Sequence, residues 1–401
     1  MILSLAWKNI WRSKRRSFVV IGAIIVGVWA LIFQFSFYQS FIDGYSKNAI
    51  EHDYSHIQIH NEDYLLEPDL KSSIQQVEVL DKVLLDTNVF KTVSKRQIVN
   101  GMVASTKTSA GIQIYGIDPE GEQVATRLGD QLMEGTYFNK FKRNPILISN
   151  KIADKLKLKI RSKVVLTMQD IDGEITSASF RVEGIFESKS PRINMGVVYV
   201  RLDDLQRLTN YKGITEMAMM VEDPSNISLI KSSLATSGNI VRGFKEIAPE
   251  FSLLEEQTTM VKQIMTMIVM LALLFGIINT MLMAVLERTK EIGMLRSVGM
   301  RKGKVFGMIV WETVIMGVIA GPIGLMAGYL TNWRFAQVGL DLSSYAESLK
   351  QFGYDTIFYP AIEPSMYYEL MLTVLITALL GALYPAYKAI QLNPLEAIRK
   401  L

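Results

Sequence analysis

The three histidines of this 401-residue chain lie close together, at His52, His56 and His60. The segment from His52 to His56 has the two-histidine spacing of zinc proteases, in which both imidazoles point from one helix face and a glutamate serves as base. Here an aspartate takes the place of that glutamate, and residues 55–60 alternate like a strand. A strand would place His56 and His60 about 13 Å apart, so the sequence argues against a metal site.

The glycine-containing segment 299–305, Gly-Met-Arg-Lys-Gly-Lys-Val, is a second candidate for chemistry. A phosphate-binding loop needs four residues between its glycines and a serine or threonine after its lysine. Only three residues separate Gly299 from Gly303, and Val305 follows Lys304. We find no nucleophile or acid pair elsewhere, so the sequence predicts that this chain is no enzyme and holds no cofactor.

Long apolar stretches dominate the chain, which is 49% hydrophobic with a mean hydropathy of +0.20. Residues 17–42 carry no charge, and at about 1.5 Å per residue they reach roughly 39 Å, more than a hydrocarbon core of about 30 Å. Similar stretches follow at 263–286, 305–333 and 370–387, with Glu312 as their single charged residue. We therefore expect four transmembrane helices.

Lysines and arginines concentrate beside these stretches, at residues 8–16, 288–304 and 388–400. The positive-inside rule places such segments in the cytoplasm. This predicts a multi-pass protein of the bacterial inner (plasma) membrane with both termini cytoplasmic and a large periplasmic domain. The first apolar stretch is longer than the core of a cleaved signal peptide, so we expect it to remain as an anchor. The net charge of +4 is explained by topology, which argues against nucleic acid as a partner.

Residues 43–258 are polar enough to fold in water, and their patterns mix strands with helices. Strands are predicted at 55–60, 111–117, 162–168 and 177–188, with a hairpin turn at 170–173, and helices at 70–85, 150–158, 202–210 and 225–235. The predicted fold class is a membrane α-helical protein of four transmembrane helices, with a large α+β extracytoplasmic domain inserted between helices 1 and 2. Two subdomains are expected within that domain.

The chain thus divides into nine predicted segments. They are a cytoplasmic amphipathic elbow (1–16), transmembrane helix 1 (17–42), the periplasmic α+β domain (43–258), transmembrane helix 2 (259–286), a short cytoplasmic helix (287–304), transmembrane helix 3 (305–333), an external loop (334–369), transmembrane helix 4 (370–387) and a cytoplasmic tail (388–401). The elbow would hold Trp7 and Trp11 at headgroup depth and so contact membrane lipids. A plain basic flank is the alternative.

Segment 287–305 is the most informative of the cytoplasmic segments. Its apolar residues Ile292, Leu295 and Val298 recur every three positions among charged ones, which predicts an amphipathic helix ending at Gly299. Such a helix, joined to two membrane spans, can dock in a partner's groove and transmit motion to the bilayer. The alternative is a solvated connector whose charges only set the orientation.

The third span carries glycines spaced four and three residues apart, namely Gly317, Gly321, Gly324 and Gly328. Small residues in this pattern allow another helix to approach closely, although they also occur in ordinary membrane helices. Pro322 is expected to break or kink this span. Glu312 is either a functional charge buried in the bundle or a group that reaches water or a basic neighbour.

Taken together, these segments resemble the MacB, LolC/LolE and FtsX permeases, the mechanotransmission class of ABC transporters. The resemblance covers almost the whole chain. It is carried by residues 6–17 (AWKNIWRSKRRS), 55–60 (SHIQIH), 146–170 (ILISNKIADKLKLKIRSKVVLTMQD), 180–186 (FRVEGIF), 287–305 (ERTKEIGMLRSVGMRKGKV) and 384–400 (YPAYKAIQLNPLEAIRK). The histidine-rich strand and residues 116–122 (GIDPEGE) look closest to the lipoprotein-releasing LolC/LolE branch.

The resemblance implies that 287–300 is a coupling helix that contacts a cytoplasmic ABC ATPase dimer, which would bind the ATP and Mg²⁺. The coupling residues carried over are Glu287, Arg288, Glu291, Ile292, Leu295, Arg296 and Gly299. It also implies a second permease subunit, identical or different, and a lipoprotein cargo or a periplasmic adaptor as further partners.

The function expected from these features is conversion of ATP hydrolysis by a partner into a shape change of the periplasmic domain, with lipoprotein release from the inner membrane as the result. The nearly uncharged spans suit no channel for polar solutes. The alternatives are MacB-like export of drugs or peptides, and FtsX-like signalling to a cell-wall hydrolase.

Overall fold

The structure is a computed structural model, and it describes residues 2–64, 66, 68–86, 90–138, 144–234, 238–361 and 363–391. The chain forms two compact units. The first, which we call the membrane unit, comprises Met1–Ile42, Glu255–Leu342 and Ile357–Leu401. The second, the sheet unit, comprises Asp43–Leu254 and Ser343–Thr356. Most of the predicted cytoplasmic tail at 388–401 lies outside the described residues.

Helices and strands alternate through the sheet unit, whereas helices dominate the membrane unit. The helices are α1 (Ile2–Arg12), α2 (Lys14–Ala49), α3 (Val77–Asp86), α4 (Pro119–Thr126), α5 (Asn150–Leu156), α6 (Pro191–Gly196), α7 (Leu202–Leu208), α8 (Ile227–Leu234), α9 (Phe244–Ile247), α10 (Pro249–Glu287), α11 (Thr289–Ser297), α12 (Lys302–Val338), α13 (Ala346–Gln351) and α14 (Pro364–Ile390). The strands are β1 (Ile57–Asn61), β2 (Phe90–Ala104), β3 (Ser109–Ile117), β4 (Leu132–Gly135), β5 (Pro145–Ser149), β6 (Lys163–Gln169), β7 (Ile175–Phe186), β8 (Val197–Arg201), β9 (Glu216–Val221), β10 (Asn239–Gly243), β11 (Leu340–Asp341) and β12 (Ile357–Phe358).

Four helices in the described part of the chain are long and apolar enough to cross a membrane, namely α2, α10, α12 and α14. Their mean hydropathy over the most apolar window is 2.5 for α2 and α10 and 1.8 for α12 and α14. Two of them are longer than their apolar stretches, because α2 starts at Lys14 and ends at Ala49, and α10 starts at Pro249. Both helices therefore belong partly to each unit.

The glycine stripe of α12 lies where two other helices approach its backbone. A Cβ added at Gly317 would be 3.1 Å from the Cβ of Ala378 in α14, and one at Gly321 would be 2.7 Å from the Met371 sulfur. On the other side, Gly324 and Gly328 face α2. The stripe thus lies at contacts within the chain, between α12 and both α2 and α14.

Pro322 does not break the third span, because α12 continues as a single helix from Lys302 to Val338 with this proline inside it. Proline removes one backbone donor from the helical ladder. Helices in a membrane bundle tolerate that loss when neighbouring helices pack against them, and the adjacent Gly321 is packed against α14. The predicted break of the third span is therefore absent, and the alternative of a kink stays a prediction.

A ten-stranded mixed sheet forms the sheet unit. Its pairings run β10-β1-β9-β2-β3-β8-β5-β7-β4, and β6 joins β2 to β7. The pairs β3–β8 and β5–β7 are parallel, and the other pairs are antiparallel. Because β6 links β2 to β7, the strands β2, β3, β8, β5, β7 and β6 close a ring, from which β9, β1 and β10 extend.

Strand β2 corrects the expectation of two subdomains. Its first half pairs with β9, and its second half pairs with β6. One core inside the ring contains Val103 and Phe180, and another between the extension and its helices contains Ile59 and Leu80. The domain therefore has several hydrophobic clusters, of which these two share the long strand β2, and it forms one compact unit instead of two subdomains.

Candidate functional site

The site predicted at 287–304 is a helical corner in the membrane unit. Helix α10 ends at Glu287, Arg288 occupies the position before α11, and α12 begins at Lys302. The corner between α11 and α12 is made by Gly299, whose φ of 98° is a left-handed backbone conformation that favours glycine. Its N–H bonds to the Arg296 carbonyl at 3.1 Å, and the Met300 N–H bonds to the Leu295 carbonyl at 3.0 Å. These bonds end α11 with its terminal carbonyls satisfied.

Arg288 is the most connected of the predicted coupling residues. Its guanidinium donates to the Asn9 carbonyl at 3.1 Å, to the Ser13 hydroxyl, and to a Glu312 carboxylate oxygen at 3.4 Å. The Arg288 side chain is 15% exposed and that of Glu312 is 5% exposed. Glu312 is thus a buried charge, as one alternative expected, and it also pairs with a basic neighbour, as the other expected.

Two further ion pairs connect the same region to the N-terminal helices. Arg12 pairs with Glu291, and Arg16 pairs with Glu287. At the far end of α11, Arg296 donates to the Ile390 carbonyl at 3.3 Å, which lies in the last turn of α14. A cation at the C-terminal end of a helix is favourable because the helix dipole is negative there. All four charged coupling residues therefore contact other parts of the same chain.

The most exposed residues of α11 are mostly not the coupling residues that the resemblance implied, whose role stays a prediction. Ile292 is buried and Leu295 is partly buried. The exposed residues are four or three apart on one helix face, namely Lys290, Met294, Ser297 and Val298. Met294 is 59% exposed and Val298 is 87% exposed. The apolar spacing of the sequence found the helix but could not tell which face packs against α1.

A cavity of about 530 Å³ lies between α1, α10, α11 and α12. Its lining includes the polar groups of Arg288 and Glu312 and apolar side chains such as Met281, Val285 and Leu295. The coupling corner therefore combines polar contacts with an apolar core, since Ile10, Val285 and Ile292 belong to one buried cluster beside the cavity.

In the sheet unit, the ends of the two long helices are fastened to the domain and to each other. The Tyr45 ring from α2 stacks on Phe251 from α10 with centroids 4.9 Å apart. Asp53, in the π-helical turn Ile50–Tyr54 that follows α2, accepts from the Ser190 hydroxyl at 2.7 Å and from Arg192 Nε at 3.0 Å. The Asp53 side chain is 1% exposed. This buried ion pair and aromatic stack resist displacement of the helix ends within the unit.

The histidines take separate structural roles in the sheet unit. His52 lies in the π-helical turn, His56 precedes β1 and His60 is in β1. His56 Nδ1 accepts from the Val221 N–H at 3.2 Å, and His60 Nδ1 lies 3.2 Å from the Thr215 carbonyl. Within the described ranges, no group of three His, Asp or Glu side chains is placed to hold a metal ion.

The role of His56 predicts a pH dependence. Burial lowers the pKa of His56 below its ordinary value of 6.5, and its Nδ1 must be unprotonated to accept from Val221. The unfolded chain therefore binds more protons below about pH 6.5, and the stability that neutral His56 contributes is lost as pH falls through that value. We expect the urea midpoint of the sheet unit's circular-dichroism transition to fall between pH 7.5 and 5.5. His56→Asn, which keeps an acceptor, should lessen that fall; an unchanged pH slope would contradict the assignment.

Comparison with known proteins matches two family models. The MacB-like periplasmic core domain matches residues 17–237, more than half of the chain, and the FtsX-like permease C-terminal model matches residues 264–394. The second match includes the corner around α11 and the glycine stripe of α12. The two models together span both units.

Individual relatives include LolC, LolE and MacB proteins. The lipoprotein-releasing system transmembrane protein LolC of Xylella fastidiosa is 22% identical over 55% of this chain, so the chain spans about half (55%) of that relative's length. LolE of Haemophilus influenzae is 20% identical over 81% of each chain. The macrolide export ATP-binding/permease protein MacB of Nitrobacter winogradskyi is 25% identical over 67% of this chain and 41% of that protein.

Four helices suited to a membrane, a mixed sheet domain and two matching family models agree with one another. The resemblance on which the sequence was first interpreted is confirmed. The chain is a membrane protein that belongs to the MacB-like periplasmic core domain family, and it is an ABC transporter permease of the MacB, LolC and FtsX type.

Proposed function

We propose that this chain is a non-catalytic permease subunit that receives force at α11 from an ABC ATPase and passes it through α2 and α10 to the sheet unit. The observation that carries the proposal is the exposed apolar face of α11. Arg288 holds the start of α11 and Arg296 holds its last turn through contacts to other helices. A short helix fixed at both ends in this way is suited to transmit a displacement, because neither end can move alone.

The exposure of Met294 and Val298 distinguishes docking from a solvated connector. A connector needs only polar residues, whereas these two side chains are 59% and 87% exposed beside Lys290. Apolar side chains spaced four residues apart on one helix face are typical of helices that lie in a partner's groove. Each such side chain gains roughly 1.5–3 kcal/mol on full burial, so the partner's groove would be stabilised by covering this face.

The proposed orientation follows from the basic residues beside the spans. Both termini and α11 lie in the cytoplasm, and residues 43–258 lie in the periplasm. The ATP and Mg²⁺ are bound by an ATPase dimer, since the 401 residues contain no phosphate-binding loop. A second permease, identical or different, completes the assembly.

The proposed action is release or export of a cargo already on the periplasmic side, and we favour lipoprotein. Support comes from relatives named for lipoprotein release, which match up to 81% of the chain. The alternative of macrolide export rests on MacB relatives. Gentle purification of the complex followed by mass spectrometry of every bound chain and lipid separates the candidates. Bound lipoprotein supports our choice, a bound drug or peptide supports the MacB-like alternative, and a bound cell-wall hydrolase indicates FtsX-like signalling.

The docking face is tested by Met294→Asp combined with Val298→Asp. Burying two carboxylates in an apolar groove is strongly unfavourable, so we expect co-purification with the ATPase to fall at least tenfold while the permease stays folded. Met195→Asp is the matched control, because Met195 is 66% exposed in α6 and lies in the sheet unit. Unchanged ATPase capture and turnover in the double variant would contradict docking at α11.

A further inference from the structure

We propose that Arg288 pins the N-terminal elbow helix α1 to the coupling corner, so that force entering at α11 reaches α2 as well as α10. This inference rests on the proposed function. It assigns Arg288 and its partners a positioning role inside the chain instead of a role at the interface with the ATPase.

The first support is the position of the Arg288 guanidinium. It donates to the carbonyl of Asn9 at 3.1 Å, in the last turn of α1, and to the hydroxyl of Ser13, between α1 and α2. The Asn9 carbonyl also accepts from the Ser13 N–H at 3.4 Å, so Arg288 adds a shorter bond to it. The C-terminal end of a helix carries the negative end of its dipole, so a partly buried cation there supplies a complementary charge. Ser17 supplies a further hydrogen-bond donor to the end of α1, because its hydroxyl donates to the Ile10 carbonyl at 2.9 Å.

The second support is the burial of the pin. The carboxylate of Glu312 in α12 is 5% exposed and faces Arg288. Removing one member of a buried ion pair leaves the other charge without compensation and is strongly unfavourable. Arg288 thus joins α1, α12 and the corner between α10 and α11 at one point that is costly to separate.

The third support is a pair of ion pairs on either side of the pin. Arg12 and Arg16 are four residues apart, as are their partners Glu291 and Glu287. Arg12 is 66% exposed and Glu291 is 39% exposed, so this outer pair contributes little by itself. This outer pair nevertheless connects the same two parts of the chain as Arg288 does, α1 and the corner at α11. The elbow and the corner are joined along about one helical turn, with the strongest contact in the middle.

A consequence follows for force transmission. Helix α10 is joined to α11 through the backbone, whereas α2 has no such covalent connection to it. Without the pin, the described residues would link α2 to the corner only through the Arg16–Glu287 pair and the packing of α2 against neighbouring helices such as α12. With the pin, the start of α2 moves with α11, and both long helices receive the same displacement.

The test compares Arg288→Met and Arg288→Lys with the unsubstituted full-length permease in complex with its ATPase. Nucleotide-dependent amide hydrogen exchange is measured in the far parts of both helices, residues 43–49 of α2 and 255–262 of α10. In the unsubstituted complex we expect nucleotide to change exchange in both segments. Arg288→Met should lower the response of the α2 segment at least fivefold and keep that of α10. Arg288→Lys should give an intermediate response, because lysine keeps the charge but not the fork of donors.

A second variant keeps the proposal testable if Arg288→Met fails to fold. Arg12→Glu alters only an exposed position, and we expect it to weaken the α2 response about twofold, with recovery on adding Glu291→Arg. Equal responses of α2 and α10 in Arg288→Met, or no recovery in the exchanged pair, would overturn the pin. Absence of any nucleotide response in the unsubstituted complex would instead count against the proposed function.

Discussion

Replacing Arg96 with methionine is expected to destabilise the sheet unit by about 3–5 kcal/mol, because two carboxylates would lose their buried counter-charge. Arg96 lies in β2 and its side chain is 2% exposed. Its Nε and Nη2 donate to Glu122 at 2.8 and 2.7 Å, and its Nη1 donates to Glu216 at 2.6 Å. Burial acts to lower the Arg96 pKa, but the two carboxylates outweigh it and raise that pKa.

The environment of the carboxylates explains why the loss cannot be repaired locally. Glu122 is fully buried in α4 and also accepts from Ser94 at 2.6 Å and from Thr126 at 2.9 Å. Glu216 lies opposite Arg96 on β9, and its second oxygen is 3.6 Å from His60 Nε2. Methionine would fill the volume but leave two acidic groups in a medium that disfavours their charged forms.

The measurement is amide hydrogen exchange of β2 and β9 in the full-length protein, where we expect protection to fall by about a hundredfold or more, since each 1.4 kcal/mol is a factor of ten. Arg207→Met is the matched control, because Arg207 is 64% exposed and pairs with Asp204 in its own helix. The triple change Arg96→Met, Glu122→Gln and Glu216→Gln should recover part of the loss. Equal effects of Arg96→Met and Arg207→Met would contradict the argument.

Strand β2, which holds Arg96, is one of the strands that the sequence did not predict. Strands with one solvated face were predicted close to their observed bounds, as for β6 at Lys163–Gln169 and β7 at Ile175–Phe186. Strands β5 and β9 were missed because their sequences, PILIS and EMAMMV, show no regular alternation of apolar and polar residues, unlike the equally buried β1. Strand β2 was missed because its lysines and Arg96 look like a solvated segment, although Arg96 is buried through pairing with residues up to 120 positions away.

The coupling corner shows a similar division. Spacing of apolar residues and a glycine were enough to predict a helix and its end, and the structure has α11 end at Ser297 with Gly299 beyond it. Ser13, one partner of Arg288, lies 275 residues away in sequence, and Arg12, the partner of Glu291, lies 279 residues away. No local pattern indicates such a pairing. The exposed face of Met294 and Val298 follows from that packing, so it became visible only in the structure.

The contact between α2 and α12 gives the second large effect, which we expect from the smallest possible change, Gly324→Ala. The added Cβ would lie 2.9 Å from the Val28 Cβ, 3.0 Å from the Ile25 carbonyl oxygen and 3.2 Å from the Ile25 Cα. Two of these atoms belong to the helix backbone, so the neighbour cannot rotate away. Overpacking of this kind costs about 1–3 kcal/mol, and it would separate α2 from α12.

The same helix offers the control, since a Cβ at Gly307 would meet no atom within 4 Å. Gly307→Ala should be neutral or stabilising by up to about 1 kcal/mol, because alanine favours helix. Trp29 of α2 reports the difference, as its indole N–H donates to the Thr331 hydroxyl of α12 at 3.0 Å. We expect tryptophan fluorescence in detergent to show a lower unfolding temperature for Gly324→Ala alone. If α2 must move together with α12 to carry force, Gly324→Ala should also bind the ATPase normally yet couple its ATP hydrolysis poorly to transport. Equal unfolding temperatures for the two alanine variants would show that the helices are not in such close contact.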